Sequence, residues 1–200
     1  MTLVSAMTFA FGAAPVAAVA EVQDFSSFSD EAPAAQQSLS PQIASLSDQS
    51  LDALTELSDR ANVPHGFDVD AAIAAAKREI GTVRPTGWSQ PGECIVSARR
   101  WLVAGGAHWT EMGDPVKNYR GAVRLNISDA QPGDVVQYEN IDYPTSWVTG
   151  VHTVLITERH DDGTFSIVES NNPAGSGRVS QNLHWTPAPP AGFRAVVWRF

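Results

Sequence analysis

Cysteine is nearly absent from this chain: among 200 residues there is one, Cys94. A single thiol excludes an internal disulfide and any zinc centre built from several cysteines. In an exported protein an unpaired thiol is a liability unless it is used, which marks Cys94 as a residue of interest. Positive charge is missing from the beginning, because no Lys or Arg precedes Arg60. Residues 1–60 hold eight acids against Arg60 alone, whereas the rest of the chain holds 14 acids and 12 bases. The net charge of -9 is therefore mostly N-terminal, and the nearly neutral remainder has no basic stripe for nucleic acid. After the first twenty residues no stretch approaches the roughly 20 apolar residues of a membrane span. Internal repeats are also lacking. Glu111, Asp114, Asp129 and Asp142 form no pair of the kind a two-carboxylate glycosidase needs. Asp161-Asp162-Gly163 lacks the alternating oxygen ligands of a calcium loop and reads as turn chemistry. No cofactor and no metal is implied.

What is present is enough apolar residue, 43%, for one ordinary core. Residues 1–20 are apolar and end in Ala18-Val19-Ala20, a small-x-small pattern of the kind that precedes signal cleavage. They read as a signal peptide or anchor, although the usual basic start is missing. Residues 21–66 are rich in Ser, Ala, Gln and Asp, as in a linker or pro-segment. Leu51, Leu54 and Leu57 within it allow a short helix. The compact domain is expected over 67–200, as a monomer.

Within that domain Asp68 or Asp70 can cap a helix with Val69, Ile73, Ala76 and Ile80 on one face, stopped by Gly81. A loop with Pro85, Gly87, Pro91 and Gly92 leads to a second helix from Cys94 to Ala104, ended by Gly105-Gly106. Short strands follow over 134–138, 151–158, 164–171, 179–185 and 193–200, with Pro187, Pro189 and Pro190 breaking the last pair apart. Helices first and consecutive strands afterwards predict an α+β fold with an antiparallel sheet. His65, His108, His160 and His184 fall in loops or at segment ends and are expected to be solvated. Trp88, Trp109 and Trp147 lie in loops, where they could line a groove or cover the edge of a core.

The second and third strong strands flank His160-Asp161-Asp162-Gly163, a hairpin signal. A two-residue Asp162-Gly163 turn would set His152 opposite residue 173 and diagonal to Asn171. Alternation then gathers His152, Val154 and Ile156 on one face with Phe165, Ile167, Glu169 and Asn171. That face is the more apolar one and is expected to pack against the helices. A one-residue slip in register would separate His152 from its partners.

The residue types suggest acyl chemistry. A thiol attacks an acyl carbon as thiolate, and a helix N-terminus and a nearby imidazolium both favour that form. Cys94 has the first by position and could have the second from His152. The histidine would need an acceptor behind it, which Glu169 or Asn171 could supply. Free N–H groups at the helix start could bind an oxyanion.

From about Ile80 to Phe200 the chain resembles CHAP domains, cysteine- and histidine-dependent amidohydrolases and peptidases of the papain-like group that includes NlpC-type cell-wall peptidases. Gly92-Glu93-Cys94 is similar to the family's Gly-x-Cys motif, and Pro132-Gly133-Asp134-Val135 to its Pro-Gly-Asp strand start. Gly150-Val151-His152-Thr153-Val154 resembles its Gly-His-Val-Ala strand, and Glu169-Ser170-Asn171 its Glu-x-Asn. Glu93 stands where the family often has Gln, Val151 is an extra residue, and Val96 replaces a usual aromatic. The resemblance implies a papain-like fold, with N-terminal helices packed on the antiparallel sheet. It also implies Cys94 as nucleophile, His152 as base and then acid, Glu169 as its orienting group, and Asn171 assisting the imidazole or the oxyanion. The implied enzyme is a bacterial, secreted or wall-associated one cutting amide bonds in the peptide or cross-bridge of peptidoglycan. A catalytically idle wall-binding module and an acyl transferase are the alternatives on the same scaffold.

Overall fold

A computed structural model describes residues 50, 53–56, 58–83, 93–111 and 113–200. The expected leader over 1–20, most of the acidic segment 21–66, Trp88 and Gly92 lie outside the described residues. The described residues all belong to one compact unit, Ser47–Phe200. Among the described residues no helix is long and apolar enough to cross a membrane.

Helix α1, Val69–Glu79, is capped by Asp68, whose side chain accepts from the Ala71 N–H at 2.9 Å. Its inward residues are Ala72 and Ala76, small enough for the second helix to approach closely. Helix α2, Glu93–Ala104, buries Cys94, Ile95, Ser97, Ala98, Trp101 and Leu102, the stripe that a 3.6-residue period places on one side. Gly105 follows because its neighbour leaves no room: a Cβ there would lie 2.3 Å from the Asp68 carbonyl. That close approach lets the Asp68 N–H donate to the Gly105 carbonyl at 2.8 Å, tying the end of α2 to the start of α1.

Six strands follow: β1 Val123–Leu125, β2 Val135–Asn140, β3 His152–Arg159, β4 Phe165–Ser170, β5 Val179–Trp185 and β6 Phe193–Arg199. They form one sheet in the order β1-β6-β2-β3-β4-β5, antiparallel at every pairing. The α+β reading therefore holds. β1 was not foreseen; it has three residues, too few for an alternating pattern, and is placed by Arg124, which bonds Glu139 twice at 2.8 Å and lies over the Trp198 ring.

The helices cover the face carrying Val135, Leu155, Val168, Val179, Val196 and Trp198. This overturns the expectation that the His152 face meets the helices. Leu155 and Val168 fill that layer with Thr153 and Ser170 beside them, so two hydroxyls did not keep this face out of the core. Both are bonded: Ser170 to Ser97 at 2.9 Å, and Thr153 to Tyr119 at 3.0 Å. Once paired, a buried hydroxyl loses little of its water bonding. The opposite face holds Val136, Val154, Ile156, Phe165, Ile167 and Val197 in a second apolar layer.

Two histidines expected in solvent are not there. His65 lies 2.9 Å from Asp134 Oδ1, with its side chain only 11% exposed. Asp134 also receives Arg199 through two bonds of 2.8 and 2.7 Å, and both side chains are fully buried. Arg199 in turn donates to the Ala61, Val63 and Asp129 carbonyls, which ties residues 61–63 to the end of the sheet. His160 is partly buried and lies 3.0 Å from Ser166 Oγ. Trp109 covers the core edge, stacked on Phe200 at 4.5 Å between ring centroids.

Candidate active site

The hairpin that carries the site is made by two departures from the simplest geometry. His160 donates to the Thr164 carbonyl and Gly163 to His160, so the loop has three residues, 161–163, with Gly163 at φ 83. Only glycine takes that conformation without steric cost. The longer loop slips the register by one, giving Arg159↔Phe165 and Glu158↔Ser166. Then Thr157 is left without a partner, a β-bulge, and beyond it the pairs are Ile156↔Ile167, Leu155↔Val168 and Val154↔Glu169. A bulge adds one residue to one strand. The two slips run in the same direction, so the side-chain parity expected from a two-residue turn is restored. His152 and Glu169 consequently share a face although neither slip was foreseen.

The result is a short relay. His152 Nε2 donates to Glu169 Oε2 at 2.6 Å, which leaves Nδ1 as the ring nitrogen available to the nearby Cys94 sulfur. Cys94 as a residue is 6% exposed, and the His152 and Glu169 side chains are 19% and 12% exposed. Burial works against charge on His152. The hydrogen bond to Glu169, its charge and the neighbouring Cys94 outweigh it and raise the imidazole from 6.5 to about 9. At neutral pH this favours the charged imidazole, with the Glu169 carboxylate bonded behind it. Cys94 stands in the first turn of α2, where the helix end favours negative charge.

The shell around these three residues was not legible beforehand. Tyr138 is the cross-strand partner of His152, with ring centroids 6.3 Å apart, and it is flanked on its other side by Trp185 at 6.4 Å. Burial raises the Tyr138 phenol, the N–H of Ala188 pulls the other way, and the Glu169 charge raises it further. Tyr119, stacked on Trp198, is buried near the thiol. Burial pushes its phenol far above the ordinary value, against the pull of the Thr153 bond and with a smaller push from Cys94. Asn172 donates to both oxygens of Glu169, at 3.2 Å each.

Asn171, the fourth residue read from the sequence, sits at the turn after β4. Its backbone is left-handed, at φ 63, and its Oδ1 accepts from the N–H groups of Gly175 and Gly177 at 2.8 and 3.0 Å. The oxygen thus organises the turn between β4 and β5, a common task for an asparagine in this conformation. The amide that meets Glu169 belongs to the next residue along, Asn172.

No family model and no curated protein matches this chain. Among solved structures it is similar to the P60 domain of an antigen from M. avium subspecies paratuberculosis, with 14% identity and a TM-score of 0.44, over 66% of this chain and 93% of that one. It is also similar to the wild-type endolysin LysIME-EF1, with 18% identity and a TM-score of 0.43, over 66% of this chain and 63% of that one.

Proposed function

We propose that this protein is an exported cysteine hydrolase of the papain-like, cell-wall peptidase type, cleaving amide bonds in bacterial peptidoglycan through a thioester acyl-enzyme. The single observation behind this reading is the grouping of Cys94, His152 and Glu169, with His152 bonded to Glu169 at 2.6 Å and raised to about 9 by Glu169 and the nearby Cys94. The CHAP-like order of the motifs supplies the substrate class.

The steps follow from the atoms. The Cys94 sulfur attacks the amide carbon, and the oxyanion forms beside the N–H groups of the first turn of α2. The leaving nitrogen takes the proton from His152 Nδ1 as the C–N bond breaks, leaving a thioester and a free amine. His152, now neutral, accepts a proton from water, whose oxygen attacks the thioester carbon. Collapse releases the carboxylic acid and returns the thiolate–imidazolium pair. Throughout, Glu169 holds Nε2–H, which keeps one tautomer facing the sulfur and stabilises the ring when charged.

Purified peptidoglycan incubated with the wild type and with Cys94→Ser, followed by mass spectrometry of the soluble fragments, tests the reading. Fragments with new amine and carboxyl ends from the wild type alone support it, and an absence of fragments from both overturns it. A wall-binding module is the second reading, favoured by two exposed aromatic side chains, Tyr143 at 65% and Trp147 at 41%. Iodoacetamide distinguishes the two. Prompt labelling of Cys94 that is lost in His152→Ala supports the enzyme, and equally slow labelling of both supports the module.

A further inference from the structure

We propose that Asn172 is a positioning residue of this site, its side-chain amide clamping both oxygens of Glu169 so that the carboxylate stays aligned on His152 Nε2. The inference rests on the cysteine-hydrolase reading for its consequence in catalysis, but its geometry concerns the protein alone. Asn172 Nδ2 lies 3.2 Å from Glu169 Oε1 and 3.2 Å from Oε2, and Oε2 is also the atom 2.6 Å from His152.

A carboxylate on a glutamate side chain turns freely about its last bond unless something holds it. One hydrogen bond to the imidazole fixes a point and leaves that rotation free. A donor placed symmetrically on the two oxygens fixes the plane as well. With the plane fixed, the Nε2–H bond keeps its short length and the ring keeps its second nitrogen turned toward Cys94. Asn172 lies outside the core, so it has no packing role that would explain its position. The neighbouring Asn171 is anchored on the turn instead, its oxygen accepting from the Gly175 and Gly177 amides. The two adjacent amides therefore divide the work: Asn171 shapes the turn and Asn172 meets the carboxylate.

The test is the pH dependence of Cys94 alkylation by iodoacetamide, which needs no substrate. In the wild type, the reaction profile carries an inflection as His152 loses its proton. In Asn172→Ala and in the similarly sized Asn172→Leu, Glu169 swings away, and that inflection moves down by about half a pH unit or more. Peptidoglycan cleavage in the same variants falls about fivefold to tenfold in kcat with KM little changed, the size expected of one charge-assisted bond at a partly wet site. The melting temperature stays within about 2 °C of wild type, as for most surface substitutions. An inflection that stays in place or rises in both variants overturns the proposal even if cleavage persists. If no cleavage is found for any protein but the inflection still moves down, the hydrolase reading fails and the clamp stands.

Discussion

The hydroxyl of Ser170 donates to that of Ser97 across 2.9 Å, with both side chains wholly buried between helix and sheet. Ser97 lies one turn after Cys94 on α2, and Ser170 directly follows Glu169 on β4. This bond is therefore a cross-brace between the element that presents the sulfur and the element that presents the carboxylate. Arg100, itself paired with Glu79 of α1, adds a second donor to Ser97 at 3.1 Å.

Replacing Ser97 by alanine strands the Ser170 hydroxyl in the interior, at a cost of about 1–3 kcal/mol, whereas Ser170→Ala leaves Ser97 its Arg100 bond and costs less. Replacing both removes the orphan, so the double variant is expected to lose less than the sum of the single losses. Urea unfolding of the four proteins measures the coupling. Additive losses would mean that the bond contributes nothing specific.

The bulge at Thr157 makes a sharper prediction, because parity is all-or-none. Removing Thr157 from the chain takes out one slip of the two and would turn His152 to the face opposite Glu169. The deletion is expected to abolish the pH-dependent alkylation of Cys94 while the far-ultraviolet circular dichroism keeps its sheet signal. Thr157→Ala, which preserves the count, is expected to alkylate like wild type. A deletion variant that retains the wild-type profile would show that the register heals elsewhere.

Protonation of His152 should be visible in both reactivity and stability. Its folded value, about 9, lies above the ordinary 6.5. A group raised on folding contributes stability fully below its unfolded value and loses it as pH rises through the folded value. The contribution is thus complete below about 6.5 and gone above about 9. Denaturant midpoints measured from pH 6 to 10 on wild type and His152→Gln should diverge least at the alkaline end. A difference that grows toward pH 10 would contradict this ordering.

Asp134 presents a different case. It belongs to the Pro132-Gly133-Asp134 motif that suggested an enzyme family, yet it acts as the buried counter-ion of Arg199. Asp134→Ala leaves that guanidinium unpaired inside the protein and is expected to cost about 3–5 kcal/mol. Thermal unfolding should show the loss, together with release of residues 61–63 to proteolysis, since Arg199 holds the Ala61 and Val63 carbonyls. A stable variant with an intact N-terminal clasp would refute the pairing argument.

How much of this was legible follows from the range of each interaction. Asp68 as a cap, the glycines after α2 and the Gly163 turn are local matters, decided by backbone conformations that neighbouring residues impose. The five longer strands and the α+β class came from the same short-range patterns, and so did the order Cys94, His152, Glu169. β1 escaped because three residues carry no period. His65 escaped because its partner, Asp134, is 69 positions away.

The sequence by itself determined which chemical groups are available, in what order, and on which kinds of element they stand. Only the tertiary structure decided which sheet face the helices cover, which of two adjacent asparagines meets the carboxylate, and how two register slips combine. Those outcomes depend on packing between segments far apart in the chain. There a pair of satisfied hydroxyls can outweigh a local excess of apolar side chains, and one additional residue can reverse every side chain beyond it.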